Sequence, residues 1–472
     1  MSRHVVDVSM DDQDQLTVSL FRAPVDIPNA RRARPLGCAP GSMPPWNAPN
    51  AVKTHGSQLF QKLTAAHPAI GQVLTTALQT PGATPSFYFN LLADDAERLC
   101  WETLYEQHNG FLALQQEWAI ARMADSTFDI VRPPVAIFDS PLRLMAILSA
   151  HNVPAEPEWQ QLKAEVIRSR NDQACPVELS LLIGEEALFG TITQEIANEH
   201  LPGITVAPMP MQTEDIKKAV NAFSPHILHF FTHGSVDYGS ATLQMGHFGD
   251  AGLPNGSISL STSELTRFAA MKTVWLVTLN CCDSGRAVPE MHSMAHRLVA
   301  QGVPAALGMM EPIAPADAHE LCGAFYRAIF EYLVDRLKIA PGDQVEVEWS
   351  KVLHPARSAL KTLHIAQGQP DTRREWTLPV LYVRIEPFYV SRGNVGAAPV
   401  PAGVMPPVAD VVRRVETVAG FLRALPPDAP AEMRRQALAI LADVTESLRP
   451  DSFGMFRTPE PLGNGAAAGS GG

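Results

Sequence analysis

Between about residues 142 and 385 the chain alternates short, continuously apolar runs with amphipathic stretches, and this alternation leaves few folds open. RLMAILSA (143–150), VELSLLI (177–183), HILHFF (226–231), VWLVTLN (274–280), VPAALGMM (303–310) and PVLYVRI (379–385) are apolar almost throughout, not at every second position. Strands of that kind need cover on both faces. EWQQLKAEVIRS (158–169), TEDIKKAVNAF (213–223), MHSMAHRLVAQ (291–301) and a stretch from about Asp317 to Leu337 read as helices between them. Doubly buried strands separated by amphipathic helices predict an α/β, doubly wound, mostly parallel sheet.

The flanks read differently. Helical periodicity begins near Leu59 and runs through Leu63, Ile70, Val73, Leu74 and Leu78; FYFNLL (87–92) reads as a strand. CWETLYEQHNGFLALQQEWAI reads as a helical start followed by a turn at Asn109-Gly110. Residues 22–50, with Pro, Gly and Ala in no clear period, predict a loose arm or long connection. After Arg392, GNVGAAPVPAGVMPP opposes a packed core and reads as a linker. Val408, Val411, Val412, Val415, Val418 and Leu422 then form a helical stripe, and a second helix from about Ala431 to Leu448 follows Pro426-Pro427-Asp428. The expected divisions are an N-terminal strand and Pro-rich arm (1–54), two folded parts (55–140 and 141–392), a linker (393–407), a helical pair (408–449) and a flexible tail (450–472). No repeat of 20–50 residues is present.

Composition removes several function classes. With 37 basic against 49 acidic residues the formal net charge is −12, a poor basis for holding phosphate, so no direct nucleic-acid partner is expected. Six cysteines, none in a CxxC pair, are too sparse for a disulfide scaffold. The start, MSRHVVDVSMDDQDQ, has no apolar core of a signal peptide, and no apolar run approaches the ~20 residues that cross a bilayer. A cytoplasmic protein without a membrane segment is expected.

Two apolar runs end in reactive residues. HILHFF leads into Thr232-His233-Gly234-Ser235, and VWLVTLN into Cys281-Cys282-Asp283-Ser284-Gly285. Ligands of an open parallel sheet sit at the carboxyl ends of its strands. If these two strands are neighbours, His233 and one of the cysteines face each other across that rim. A thiol attacks as thiolate, and an adjacent imidazole takes its proton and stabilises the pair. Gly234 and Gly285 let the backbone turn so that N–H groups reach a developing oxyanion. Successive side chains of a strand point to opposite faces, so Cys281 and Cys282 do not both serve one imidazole. Asp283 reads as a structural residue of the turn, Trp101 and Glu102 as packing and loop-anchoring groups, and His226 and His229 as hydrogen-bonded core residues. His292 and His296 have metal-ligand spacing, but adjacent cysteines are not the spaced pair of a tetrahedral site, so no metal and no cofactor are expected.

His233 and Cys282 stand forty-nine residues apart, close to the separation of about 50 in caspases. HFFTHG and LNCCDSG are similar to the two active-site motifs of the CHAT family of bacterial caspase-like peptidases, relatives of caspases and separase. SMAHRLVAQGVPAALG followed by AFYRAIF resembles that family's next segment. CWETLY with GFLAL, then PLRLMAILSA, is similar to its N-terminal half, and WTLPVLYVR to its close, so the resemblance covers roughly residues 55–390. It implies a caspase-like fold in which 55–140 is a noncatalytic caspase-like half and 141–392 the catalytic domain. It also implies His233 as base, Cys282 as nucleophile, and the backbone N–H groups of Gly234 and Cys282 as the oxyanion hole. Relatives commonly follow their Gly-x-x segment with an aromatic residue and an acid that contacts a basic P1 side chain. This chain departs from that pattern in Gly308-Met309-Met310-Glu311-Pro312-Ile313-Ala314-Pro315-Ala316-Asp317, where Glu311 and Asp317 are the candidates for the acid. A bacterial origin and a role in defence or programmed cell death are further implications of the resemblance.

Two function classes are consistent with these residues. One is a regulated cysteine endopeptidase making limited cuts in a partner protein. The other is a noncatalytic scaffold or adaptor that uses a peptidase fold as an interaction module; intact His233 and Cys282 favour the first. Because no repeat array is present to act as a sensor, restraint by a regulatory protein in trans is expected, with the helices after Arg392 as its dock.

Overall fold

A computed structural model describes residues 3–392 except 49, 81, 83, 117, 125–134, 151, 172–175, 238–239, 251–255, 270–272, 283–290 and 369–372. The linker, helical pair and tail expected over 393–472 lie outside the described residues.

The apolar runs become neighbouring strands of one sheet. Ile204–Pro208, Val177–Ile183, Leu142–Leu148, Ile227–Asp237, Leu276–Cys282 and Ala305–Met309 lie side by side in that order, all parallel. The chain steps outward from Leu142–Leu148 to Ile204–Pro208, then returns to lay Ile227–Asp237 on the opposite side of its starting strand. That reversal is the switch point of a doubly wound sheet, where a crevice opens at the carboxyl ends of the strands. Both faces are covered, as the apolar runs require. On one face Trp159, Leu162 and Val166 of the helix Glu156–Asn171 and Leu321, Phe325 and Ile329 of the helix Pro315–Arg336 pack on Ile227, Phe231 and Leu276. On the other, Ile216, Val220, Leu265, Met294 and Leu298 pack on Leu228, Phe230, Val277 and Leu279.

The sheet does not stop at Ala305–Met309. Pro379–Arg384 pairs antiparallel with Ala305–Met309 and parallel with Ala119–Ala124. Ser86–Leu91, Arg3–Met10, Leu16–Arg22 and Arg34–Pro35 continue outward from there. The N-terminal strand and part of the Pro-rich arm are therefore the far edge of the same sheet. Hydrophobic periodicity has no means of reporting such a distant pairing. The segment from Cys100 also departs from the expected helical start: Trp101–Thr103 is a single 3₁₀ turn, and Tyr105–Glu106 pairs with Gly110–Phe111 around the Asn109-Gly110 turn. Glu102 does anchor this loop. It is fully buried and takes both Nε (3.0 Å) and Nη2 (2.9 Å) of Arg122, itself on the buried strand Ala119–Ala124. Burial pushes the Glu102 carboxyl up, but the Arg122 guanidinium outweighs it and holds the acid below its ordinary range.

The 3₁₀ turn sits so close to the helix Ala51–Ala66 that only glycine fits at the crossing. A Cβ on Gly56 would lie 1.8 Å from the Thr103 carbonyl oxygen. Gly190, on the helix Glu186–Glu199, has nothing within 4 Å of the same position. Gly56→Ala is expected to lower stability by about 3 kcal/mol through forced displacement of backbone. Gly190→Ala is expected to raise it by up to about 1 kcal/mol through helix propensity. Urea unfolding of the two variants measures both; equal effects would show that the crossing yields freely.

Candidate active site

The histidine strand (Ile227–Asp237) and the cysteine strand (Leu276–Cys282) are direct neighbours, and their register sets His233 opposite Cys282 and Thr232 opposite Cys281. Strands are about 4.8 Å apart, and residues in register share a phase of the pleat. His233 and Cys282 therefore stand at the same level on the same face, with Phe231–Asn280 and His229–Thr278 as the two levels beneath. Cys281 is one residue out of phase. His233 is buried. The side chains of Cys281, Cys282 and His292, and all of Asp283, Ser284 and Gly285, lie outside the described residues.

The histidine strand runs further than its apolar part. After Phe231 it leaves Leu142–Leu148 but stays beside Leu276–Cys282 as far as His233, and on its freed side it pairs with Ser240–Met245 as a hairpin, His233 opposite Gln244 and Gly234 opposite Leu243. Gly234 thus lies within a strand, opposite Leu243, and not in a free turn. The hairpin is braced from the switch-point strand. The Ser149 N–H donates to the Phe231 carbonyl (2.9 Å), its Oγ donates to the Gly246 carbonyl (2.5 Å), and the Gly246 N–H donates back to Oγ (2.8 Å). A Cβ on Gly184 would come within 2.5 Å of that Oγ, so the brace closes around a glycine.

Beneath the rim, on the face shared by His233 and Cys282, lies a buried polar cluster that sequence reasoning missed. Glu158, fully buried in the first turn of its helix, accepts from Asn280 Nδ2 at 2.7 Å and from His319 Nδ1 at 2.8 Å, one on each carboxylate oxygen. Asn280 Nδ2 also reaches the Ala318 carbonyl at 3.1 Å. His229 Nε2 lies 3.0 Å from Glu158 Oε1 but off the line of a good hydrogen bond. Burial pushes the Glu158 carboxyl up; the two imidazoles outweigh it and hold it at about 2. The usable signal was Asn280 and His229 within apolar strands, since buried polar groups demand partners. His226, by contrast, is the core histidine expected: it accepts the Arg143 N–H at 3.0 Å and packs on Trp275, and burial, aided by Arg143, pushes it down to about 3.

Among the described residues, Glu158, His229 and Cys322 bring one potential metal-ligand atom each within 4.8 Å of one another. Zn²⁺ accepts such a donor set. However, both Glu158 oxygens already accept hydrogen bonds, and burial, with the Glu158 charge second, pushes the Cys322 thiol well above its ordinary range. The donors fit a hydrogen-bonded cluster better than a metal centre. His296 sits apart from them, with Nδ1 3.7 Å from Glu97 Oε1.

The two candidate specificity acids separate. Glu311 follows Ala305–Met309 at the same edge of the sheet as Cys282, is partly exposed, and pairs with Arg374, whose guanidinium lies 4.5 Å over the Trp46 ring. Asp317 is buried in the first turn of its helix and accepts from His364 Nε2 at 2.9 Å. Among the described residues, no helix is long and apolar enough to cross a membrane.

A doubly wound, mostly parallel sheet flanked by helices, with a histidine and a cysteine in register at the ends of adjoining strands, defines the caspase-like class of α/β protein. The profile of the CHAT domain family matches residues 91–333, a little over half of the chain, and the chain belongs to that family, whose domain is related to caspase-like cysteine peptidases. A search of curated proteins finds no match.

The depressed carboxyl of Glu158 links stability to acid. A folded value near 2, below the unfolded value of about 4.3, adds stability above the higher figure that disappears as pH falls toward the lower one. Urea unfolding of wild type should weaken steeply across that window, whereas Glu158→Gln should show a shallower acid limb. Parallel curves would reject an ionised Glu158.

Proposed function

We propose that the chain is a cysteine endopeptidase that makes limited cuts in a partner protein, with Cys282 as nucleophile and His233 as base. The observation that carries this reading is the register pairing of His233 with Cys282 at the carboxyl rim beside the switch point. In this mechanism the imidazole of His233 takes the thiol proton and the Cys282 thiolate attacks the carbonyl carbon of the scissile bond. The carbonyl π pair moves to oxygen, and backbone N–H groups at Gly234 and Cys282 receive the oxyanion. Collapse expels the amine, which takes the proton from His233, and water then hydrolyses the thioester with His233 again as base. A basic P1 side chain entering the site loses hydration and needs a carboxylate. Of the two candidates, Glu311 is the one at the sheet edge, and a substrate arginine would exchange with Arg374 there. Restraint by a regulatory partner in trans belongs to the same reading and is argued from the sequence, which carries no repeat array to act as a sensor; a setting in bacterial defence or cell death rests on the family resemblance alone.

Cys282→Ala is expected to abolish peptide cleavage and covalent labelling by a thiol-reactive peptide probe while leaving the fold intact. His233→Ala should behave alike, since either half of a catalytic unit carries most of its function. Cys281→Ala should keep most activity and cost roughly 1 kcal/mol of stability. Cleavage that persists in Cys282→Ala but vanishes in folded Cys281→Ala would overturn the assignment. No cleavage by the wild type and no labelling of it would favour a scaffold.

Specificity has its own check. Arg and Leu at P1 are compared in wild type, Glu311→Gln and Asp317→Asn. Glu311→Gln should lose an Arg preference by roughly tenfold or more, the loss of one charge-assisted contact, and Asp317→Asn should keep it. Identical profiles in all three would remove both acids from the pocket.

A further inference from the structure

We propose that Asn280, locked by Glu158, is a positioning residue of this site, holding the end of the cysteine strand at the level that sets Cys282 opposite His233. The inference rests on the Cys282–His233 reading above and adds to it what keeps the pair together. Asn280 is two residues before Cys282 and so shares its phase of the pleat. Its amide is fixed twice, to Glu158 Oε1 at 2.7 Å and to the Ala318 carbonyl at 3.1 Å. Glu158 in turn reaches the histidine strand through His229, at 3.0 Å and four residues before His233. It also binds His319, whose ring packs 5.2 Å from that of Phe231, two residues before His233. One carboxylate therefore ties both strands to two helices one and two levels beneath the rim.

An apolar residue at each place would fill the same volume without the cost of burying a charge. Aromatic rings already pack on the cluster, Tyr326 against His229 and Phe231 against His319. What hydrogen bonds add, and apolar contact does not, is a fixed position along the strand axis. Removing both partners of a buried hydrogen bond for apolar groups of similar shape is often nearly neutral for stability, so stability alone does not report such a role. The ionisable groups around Glu158 are His229 on the histidine strand and His319, Cys322 and Tyr326 on the long helix; Glu165 lies further along its own helix, paired with Arg168 and Arg327.

The test follows the pH dependence of Cys282 alkylation by iodoacetamide, read on the Cys282 peptide by mass spectrometry. In wild type the imidazole should hold the midpoint well below the ordinary thiol value of about 8.5. In Asn280→Leu the pair loosens, and the midpoint should climb by about one pH unit or more. Glu158→Gln keeps an acceptor for Asn280 and should stay within about half a unit of wild type. If Asn280→Leu does not fold, the double variant Asn280→Leu/Glu158→Met, which removes donor and acceptor together, carries the same expectation. An unmoved midpoint in a folded Asn280→Leu or double variant overturns the positioning role. So does one equivalent of zinc in the purified chain that Cys322→Ser loses, which would reassign the cluster to a metal centre. A wild-type midpoint that His233→Ala does not move instead sinks the Cys282–His233 reading itself, so the two failures are distinguishable.

Discussion

The parallel pairing of Ile227–Asp237 with Leu276–Cys282 is the constraint on which the rest depends. A ladder has a period of two, so a slip of one residue would exchange every side chain between the two faces of the sheet. Here such a slip would turn Ile227 and Phe231 away from the helices Glu156–Asn171 and Pro315–Arg336, and Leu228 and Phe230 away from the opposite layer. Both faces are packed, so the penalty arises twice. The phase of His233 against Cys282 is thus a by-product of core packing far larger than the site.

Packing fixes phase better than it fixes height. Apolar contacts tolerate small slides along a strand, whereas a hydrogen bond of 2.7 Å does not. The brace at Ser149 and the cluster at Glu158 act at different places with the same effect. One pins the hairpin that follows His233; the other pins the strands that lead up to the rim. Asparagine at 280 is polar where an apolar residue would fill the same volume, and glycine at 184 leaves the room in which the Ser149 brace closes, since a Cβ there would meet both Ser149 Oγ and the Gly246 carbonyl.

Much of this was legible in the sequence for a simple reason: a doubly buried strand has to be apolar along its whole length. RLMAILSA, VELSLLI, HILHFF, VWLVTLN, VPAALGMM and PVLYVRI each became a strand of the sheet, and TEDIKKAVNAF a helix over those very residues. The juxtaposition of His233 with Cys282 was legible as a consequence, once the two strands were taken as neighbours. What stayed hidden depends on partners remote in sequence. Glu158 was legible only as the first residue of the helical segment EWQQLKAEVIRS, and its partners His229, Asn280 and His319 lie far along the chain. The extension of the histidine strand through Gly234 depends on Ser240–Met245, which carries no apolar run of its own. Glu311 and Asp317 were legible as acids but not as partners of Arg374 and His364, for the same reason.

The seam at Pro379–Arg384 has a consequence for how the protein is made. This strand lies between Ala305–Met309 and Ala119–Ala124, yet it comes last in sequence of the three. The N-terminal strands leave the ribosome first and find no edge of the central sheet to join until residue 384 has emerged. Until then Ala119–Ala124, buried along its whole length in the finished sheet, waits with an open edge. Long-range pairing of this kind is slow, and an open apolar edge invites wrong partners. A chain truncated just before the seam would therefore keep every catalytic candidate and still be two incomplete half-sheets.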